Sequence, residues 1–136
     1  MEIKINHLQH IGIPVTNLKI SETFYKSLGF ERATNSTFMH YGHEGKMMMM
    51  QLKKIIIELY QLPEADLVEI RNRKDGHIDH ITFDVSDIDQ TYSVLKEASF
   101  QVIEEQPVFL PFWEKGCKYF NIWGPDGERL EFNQIL

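Results

Sequence analysis

Cysteine is almost missing from this chain. Its 136 residues include one, Cys117, so no internal disulfide can form, which fits a reducing compartment. Long apolar runs are missing too. None approaches the roughly 18 residues of a membrane span, and the opening MEIKINHLQHIGIPV lacks the apolar stretch of a secretion signal. A cytoplasmic protein with no membrane partner is expected. Positive charge is in deficit, with 14 Lys and Arg against 20 Asp and Glu and a net charge of −6. That argues against a general nucleic-acid binder, which needs a basic footprint. It leaves room for a small anionic substrate in a locally basic pocket. What remains is ordinary: 43% apolar and 25% charged residues, enough for one compact unit with a real core.

Alternation predicts a strand over 5–15, with Ile11, Ile13 and Val15 on one face and Leu8, His10, Gly12 and Pro14 on the other. Asn17 is a good N-cap for a helix from Leu18 to about Leu28, in which Phe24, Tyr25 and Leu28 recur at helical spacing. Gly29 follows as its stop. A short strand is expected over 30–34, turn residues over 37–45, and strands over 46–52 and 55–61. The polar stretch 63–76 looks like a linker with a helical turn from Glu64. Then the pattern starts again. A strand is expected over 77–85, a helix capped by Ser86 or Asp87 and running to about Ala98, and strands over 102–109, 117–123 and 129–134. Pro107 and Pro111 limit regularity, and Gly124-Pro125-Asp126-Gly127 is a strong turn.

The order is β-α-β-β-β, linker, β-α-β-β-β, an α+β fold of two modules: an N-terminal one over about 4–62, a linker over about 63–76 and a C-terminal one over about 77–136. The halves also match residue by residue. HIGIPVTNLKISETFYKSLGFE at 10–31 overlays HITFDVSDIDQTYSVLKEASFQ at 80–101, a shift of 70 residues, and Glu58 falls on Glu131 at a shift of 73. Repetition at this length implies two stacked modules rather than a solenoid. In each the helix covers one sheet face, so the other must find cover or line a cavity.

Four polar residues occupy equivalent slots in the repeat: His10 and Glu58 in the first copy, His80 and Glu131 in the second. Each lies in a strand whose opposite parity is strongly apolar: Ile11 and Ile13, Ile57 and Leu59, Ile81 and Phe83, Leu130 and Phe132. All four therefore point away from the helices. A lone strand histidine is more often a packed or half-exposed residue than a ligand, and a lone strand glutamate needs no special role. Repeated slots and a shared face make the four a candidate metal site. His7 and His77, three residues before the two candidate ligands, fall on the opposite face. His40 and His43 lie among turn residues and are expected at the surface. Met47–Met50 would send two side chains inward as core filling, and Cys117 reads as a buried strand residue. The aromatic run Phe109–Trp113 reads either as a loop packed on the core or an interface, or as an apolar wall over the metal.

On these motifs the chain resembles the vicinal oxygen chelate superfamily, which includes glyoxalase I, methylmalonyl-CoA epimerase, extradiol dioxygenases and fosfomycin- and bleomycin-resistance proteins. The carriers are His10-Ile-Gly-Ile-Pro-Val with Phe24-Tyr25 and Leu28-Gly29-Phe30, Ile57-Glu58-Leu59, His80-Ile81 with Val85 and Asp87, and Gly124-Pro125-Asp126-Gly127 followed by Leu130-Glu131-Phe132. The resemblance spans nearly the whole chain and implies paired βαβββ modules around a metal. The set His10, Glu58, His80, Glu131 looks most like bacterial glyoxalase I. Many epimerases of the superfamily carry Gln at the slot of Glu58, and dioxygenases and fosfomycin-type transferases usually lack that carboxylate. Two positions depart from glyoxalase I: Pro14 stands where an Arg often holds glutathione, and Leu62 where an Asn often stands. Both argue against glutathione as the thiol.

The resemblance thus implies a divalent cation (Ni, Zn, Co, Mn or Fe) on His10, Glu58, His80 and Glu131, and a lactoylglutathione lyase-like isomerisation of a small substrate with vicinal oxygens, such as a hemithioacetal of methylglyoxal. Glu131 is the implied base and Glu58 its partner. The alternatives are an epimerase or isomerase acting on a sugar or acyl thioester, and a non-catalytic small-molecule binder. A homodimer is expected, with modules pairing within one chain or exchanged between two.

Overall fold

The computed structural model describes residues 3–73, 79–123 and 129–136. The elements are β1 (Ile5–Pro14), α1 (Leu18–Ser27), β2 (Glu31–His40), β3 (His43–Leu52), β4 (Ile55–Gln61), a single 3-10 turn (Glu64–Asp66) running into α2 (Leu67–Asn72), β5 (His80–Val85), α3 (Ile88–Glu97), β6 (Val108–Leu110), β7 (Cys117–Trp123) and β8 (Arg129–Ile135). This is the α+β order β-α-β-β-β written twice. The described residues divide into two compact units, one of His10–Asp79 and the other of the residues up to Gln9 with His80–Leu136.

In the first unit the strand order is β2-β3-β4-β1. β1 and β4 run parallel, with Gly12 opposite Glu58 and Ile13 opposite Leu59, and β3 runs antiparallel to β4, with Met49 opposite Glu58. Helix α1 starts where Asn17 Oδ1 accepts from the Ile20 amide at 3.1 Å, and the Gln61 side chain caps the Leu18 amide at 2.9 Å. These bonds satisfy two amide donors that a helix start otherwise leaves open. The core joins Val15, Met48, Met50, Ile57 and Leu59, with Ile13, Leu18, Tyr25 and Phe30 packed against it.

The second unit repeats the design with the strand order β5-β8-β7-β6. β5 and β8 run parallel, with Thr82 opposite Glu131, and β7 runs antiparallel to β8. Asp87 Oδ1 caps the Gln90 amide at 2.9 Å, and Gln134 caps the Ile88 amide at 3.0 Å. Asn17 and Asp87, and Gln61 and Gln134, are equivalent in the sequence overlay, so the repeat extends to the caps. The core joins Val85, Ile88, Tyr92, Leu95, Phe120, Ile122 and Phe132, with Phe120 stacked on Phe132 at 5.3 Å between ring centroids.

Several expectations shift. The segment read as turn residues is a hairpin: β2 runs ten residues to His40, and β3 begins at His43. The turn is only Tyr41-Gly42, with φ of 48° and 78°, the two left-handed residues that a tight hairpin needs. Phe24 and Leu28, read with Tyr25 as one helical stripe, are exposed, while Tyr25 packs on the core. The linker is more helical than one turn. The strand expected over 102–109 is broken, leaving one bridge from Val102 to Ile122 and the short β6: the Glu104 side chain accepts from the Asn121 amide, the Tyr92 hydroxyl donates to the carbonyls of Glu104 and Glu105, and Pro107 has no N–H to donate. His77 and the turn Gly124–Gly127 lie outside the described residues.

Candidate metal centre

Each unit holds one imidazole–carboxylate pair, built by the same register. In the first, His10 lies two residues before Gly12, whose cross-strand partner is Glu58. Alternation puts His10 and Glu58 on one face, within reach across neighbouring strands. His10 Nε2 lies 3.1 Å from Glu58 Oε2, and the His10 side chain is 1% exposed. Met49 sits opposite Glu58, and Met47 opposite Tyr60, on this same face. All four methionines of Met47–Met50 are buried, Met48 and Met50 in the helix-side core and Met47 and Met49 on the face of Glu58. Core filling therefore accounts for two of them, while the other two wall the carboxylate.

In the second unit His80 precedes Thr82, the partner of Glu131, by the same two residues. His80 Nε2 lies 3.6 Å from Glu131 Oε2, and both side chains are largely buried. Glu131 Oε1 accepts from Asn133 Nδ2 at 3.0 Å. Arg129 Nη2 lies 3.3 Å from His80 Nδ1. A neutral imidazole carries its proton on one ring nitrogen and leaves the other as acceptor or ligand. The structure thus brings together His10 with Glu58 and His80 with Glu131.

The chemistry of these donors fits a divalent cation. Buried imidazole nitrogen and carboxylate oxygen are borderline-to-hard ligands suited to Ni, Co, Zn, Mn or Fe. A buried carboxylate is costly unless paired, and here each faces the nitrogen of a buried ring.

The sequence reading passed over Arg129 and Asn133 beside Glu131, and Asn121 opposite it on β7. The alternation that placed Glu131 also places the residues two before and two after it on the same face. Asn121 is clamped by Glu104, which accepts from its backbone amide at 2.6 Å and from its Nδ2 at 2.7 Å. Its Oδ1 is buried without a hydrogen-bond partner. The other described histidines stand elsewhere. His7 lies 3.8 Å from Asp84 with its side chain largely exposed, and His40 lies 3.9 Å from Asp66. His43 is exposed opposite His40. In the aromatic run Phe109 is exposed on β6 and Phe112 is buried. Trp113 takes a left-handed φ of 69°, and its Nε1 is buried without a partner.

A family model described as "Glyoxalase/Bleomycin resistance protein/Dioxygenase superfamily" matches residues 7–132. The uncharacterized protein YwbC of Bacillus subtilis (strain 168) is 30% identical over 131 residues, covering 93% of this chain and 96% of that protein. Among solved structures, methylmalonyl-CoA epimerase from Mycobacterium tuberculosis superposes with a TM-score of 0.79 at 18% identity, over 100% of this chain and 92% of that one. The hypothetical protein BH1468 from Bacillus halodurans C-125 gives 0.75 at 25% identity, over 98% and 96%. A Streptomyces coelicolor methylmalonyl-CoA epimerase variant, complexed with 2-nitronate-propionyl-CoA, gives 0.76 at 20% identity, over 96% and 98%. At these identities the epimerase likenesses speak for the fold alone.

Proposed function

Because the chain belongs to the glyoxalase/bleomycin resistance protein/dioxygenase superfamily, we propose that His10, Glu58, His80 and Glu131 hold one divalent cation and that the protein moves a proton on carbon next to a carbonyl. The observation that carries this reading is the duplicated pair, with an imidazole nitrogen 3.1 Å from a carboxylate oxygen in one unit and 3.6 Å in the other. The substrate class we favour is an acyl thioester, epimerised at its α-carbon. Two findings support it: methylmalonyl-CoA epimerases recur among the structural neighbours, and Pro14 and Leu62 replace the residues expected of a glutathione-dependent glyoxalase. Glu58, where many epimerases carry Gln, keeps a second reading in play, the isomerisation of a methylglyoxal hemithioacetal formed with a thiol other than glutathione.

A bound divalent cation would supply Lewis-acid stabilisation of negative charge developing on a substrate oxygen, worth several kcal/mol. The chain's own groups do the rest. In the epimerase reading Glu131 takes the proton from one face of the α-carbon and a proton is delivered to the other face; in the hemithioacetal reading Glu131 takes the proton from one carbon and returns it to its neighbour. Glu58 is the second carboxylate, able to serve the other face of the reacting carbon. Met47 and Met49 exclude water around Glu58. The working assembly is a homodimer, its four-ligand sets drawn from one chain or from two.

The test is exchange in deuterium oxide. Metal-loaded protein is incubated with a 2-methyl-branched acyl-CoA and, separately, with methylglyoxal and a panel of thiols. Deuterium entering the α-carbon supports the epimerase reading, and turnover only with a hemithioacetal supports the second. Loaded protein inactive on both would contradict proton transfer as its chemistry.

A further inference from the structure

Glu131 is held from behind by a chain of amides within its own unit. Its Oε1 accepts from Asn133 Nδ2 at 3.0 Å. Asn133 Oδ1 accepts from Gln9 Nε2 at 3.1 Å, and Gln9 Nε2 also points to Asp84 Oδ1 at 3.4 Å. Asp84 is tied in turn by Asn6 Nδ2 on its Oδ2 at 2.7 Å. The second Asn133 donor faces Cys117 Sγ at 3.8 Å, a weak contact. Gln9 and Asn133 are 2% and 3% exposed, so water does not compete for these bonds.

We propose that Gln9 and Asn133 are positioning residues for Glu131. The inference rests on the reading of Glu131 as a ligand and base, and it adds how that carboxylate is aimed. An amide has two chemically different ends, and a carboxylate only accepts. Glu131 therefore dictates that Asn133 turns its NH2 inward. The Asn133 oxygen then faces Gln9, which must present its own NH2, and Asp84 takes a share of the same group. Reversing either amide would set oxygen against oxygen at a buried contact. With carboxylates at both ends, the orientation of every member is determined, and such networks stiffen as a unit. The consequence for Glu131 is asymmetry. Its Oε1 is engaged, and Oε2, on the side of His80 Nε2, is the oxygen it presents to a cation or a substrate carbon. The carboxylate plane is set before anything binds, as ligand-orienting partners do at metal sites.

The experiment uses the full chain in four forms: unsubstituted, Asn133→Leu, Gln9→Leu and the double variant. Leu keeps the approximate size of both side chains and removes the amide. Cobalt(II) alone is titrated and followed by its visible absorption. Each single substitution should weaken binding by about 10–100-fold, the range for ligand-orienting groups. The double variant should bind like Asn133→Leu, because a relay once cut has nothing further to lose. Folded Asn133→Leu that binds within about twofold of the unsubstituted protein, or fully additive losses, would overturn the proposal. If Asn133→Leu does not fold, the side-chain amide protons of Asn133 and Gln9 in unsubstituted, metal-free protein decide it. Slow exchange supports the relay and fast exchange overturns it. Unsubstituted protein that takes up no cobalt overturns the metal reading instead, and amide exchange then judges the relay separately.

Discussion

Replacing Glu131 with Gln separates the residue's structural role from its chemical one, and the geometry says how. The Asn133 amide donates to Glu131 Oε1 at 3.0 Å. A glutamine at 131 must put its oxygen there, since its NH2 would face another NH2. Its nitrogen then takes the place of Oε2, on the side of His80 Nε2, 3.6 Å away in the parent. An amide nitrogen neither ligates a cation nor accepts a proton. Structurally, the exchange trades a charge-assisted bond for a neutral one of the same shape, about 0.5–1.5 kcal/mol, a fall of a few degrees in Tm at this size. Chemically, it removes an oxygen donor and the base, which is worth about 10²–10⁴-fold in rate. The assay pairs thermal unfolding with solvent-deuterium wash-in on whichever substrate the parent accepts. A folded Glu131→Gln protein exchanging at the parent rate would refute both the amide-orientation argument and the role of Glu131.

Three further predictions concern the frame around the site. Glu22 Oε1 on α1 takes Lys26 Nζ at 2.8 Å and Arg32 Nη2 at 2.6 Å, and the bonds from Lys26 and Arg32 hold its carboxyl below the ordinary range. A depressed folded pKa stabilises above the unfolded value and is lost as pH falls through the folded one. Glu22→Gln should therefore cost about 1–2 kcal/mol at neutral pH, discounted because both cations are half-exposed. Denaturant midpoints should converge with the parent in acid, and a gap that persists there would contradict this. Gly116 has a φ of +89°, and a Cβ there would strike the Phe109 ring and meet Leu110 O at 2.9 Å. Gly116→Ala should lose about 2–5 kcal/mol from strain and overpacking, read by denaturant unfolding. Unchanged stability would mean that the Phe109 ring does not lie over this turn. Met50 is fully buried in the first unit's core, so Met50→Ala should lose about 2–5 kcal/mol, and a loss below about 0.5 kcal/mol would show that the core there is loosely packed.

The parts of this fold that were legible in the sequence are those where side-chain alternation meets a sharp boundary. The bounds of β4 and β7 match their sequence readings because dense apolar residues end at turn residues. The caps Asn17 and Asp87 were legible because few side chains can satisfy free helix amides. The β2–β3 hairpin was not, because the half-buried alternate positions of β2 are mostly polar, Thr34, Ser36 and His40 among them, and because its tight turn uses Tyr41 where a sequence signal would have been Asn-Gly. At the site, the pairing of His10 with Glu58 and of His80 with Glu131 was readable from the repeat, and the face that each pair shares within its unit follows from period two. Asn133, Arg129 and Gln9 were not, because their roles depend on which polar atom meets which across strands distant in sequence. Parity alone could have nominated Asn133 and Arg129. Nothing in the spacing nominates Gln9, whose partners Asp84 and Asn133 lie far along the chain.

If the two duplicated pairs serve one cation, removing either histidine should release it. Metal content, measured side by side on the unsubstituted protein, His10→Ala and His80→Ala after loading with nickel or cobalt and gel filtration, tests it most directly. The parent should hold one divalent ion tightly per chain, and either variant should lose it, although each histidine belongs to a different unit. Full retention of metal in a folded variant of either histidine would contradict it.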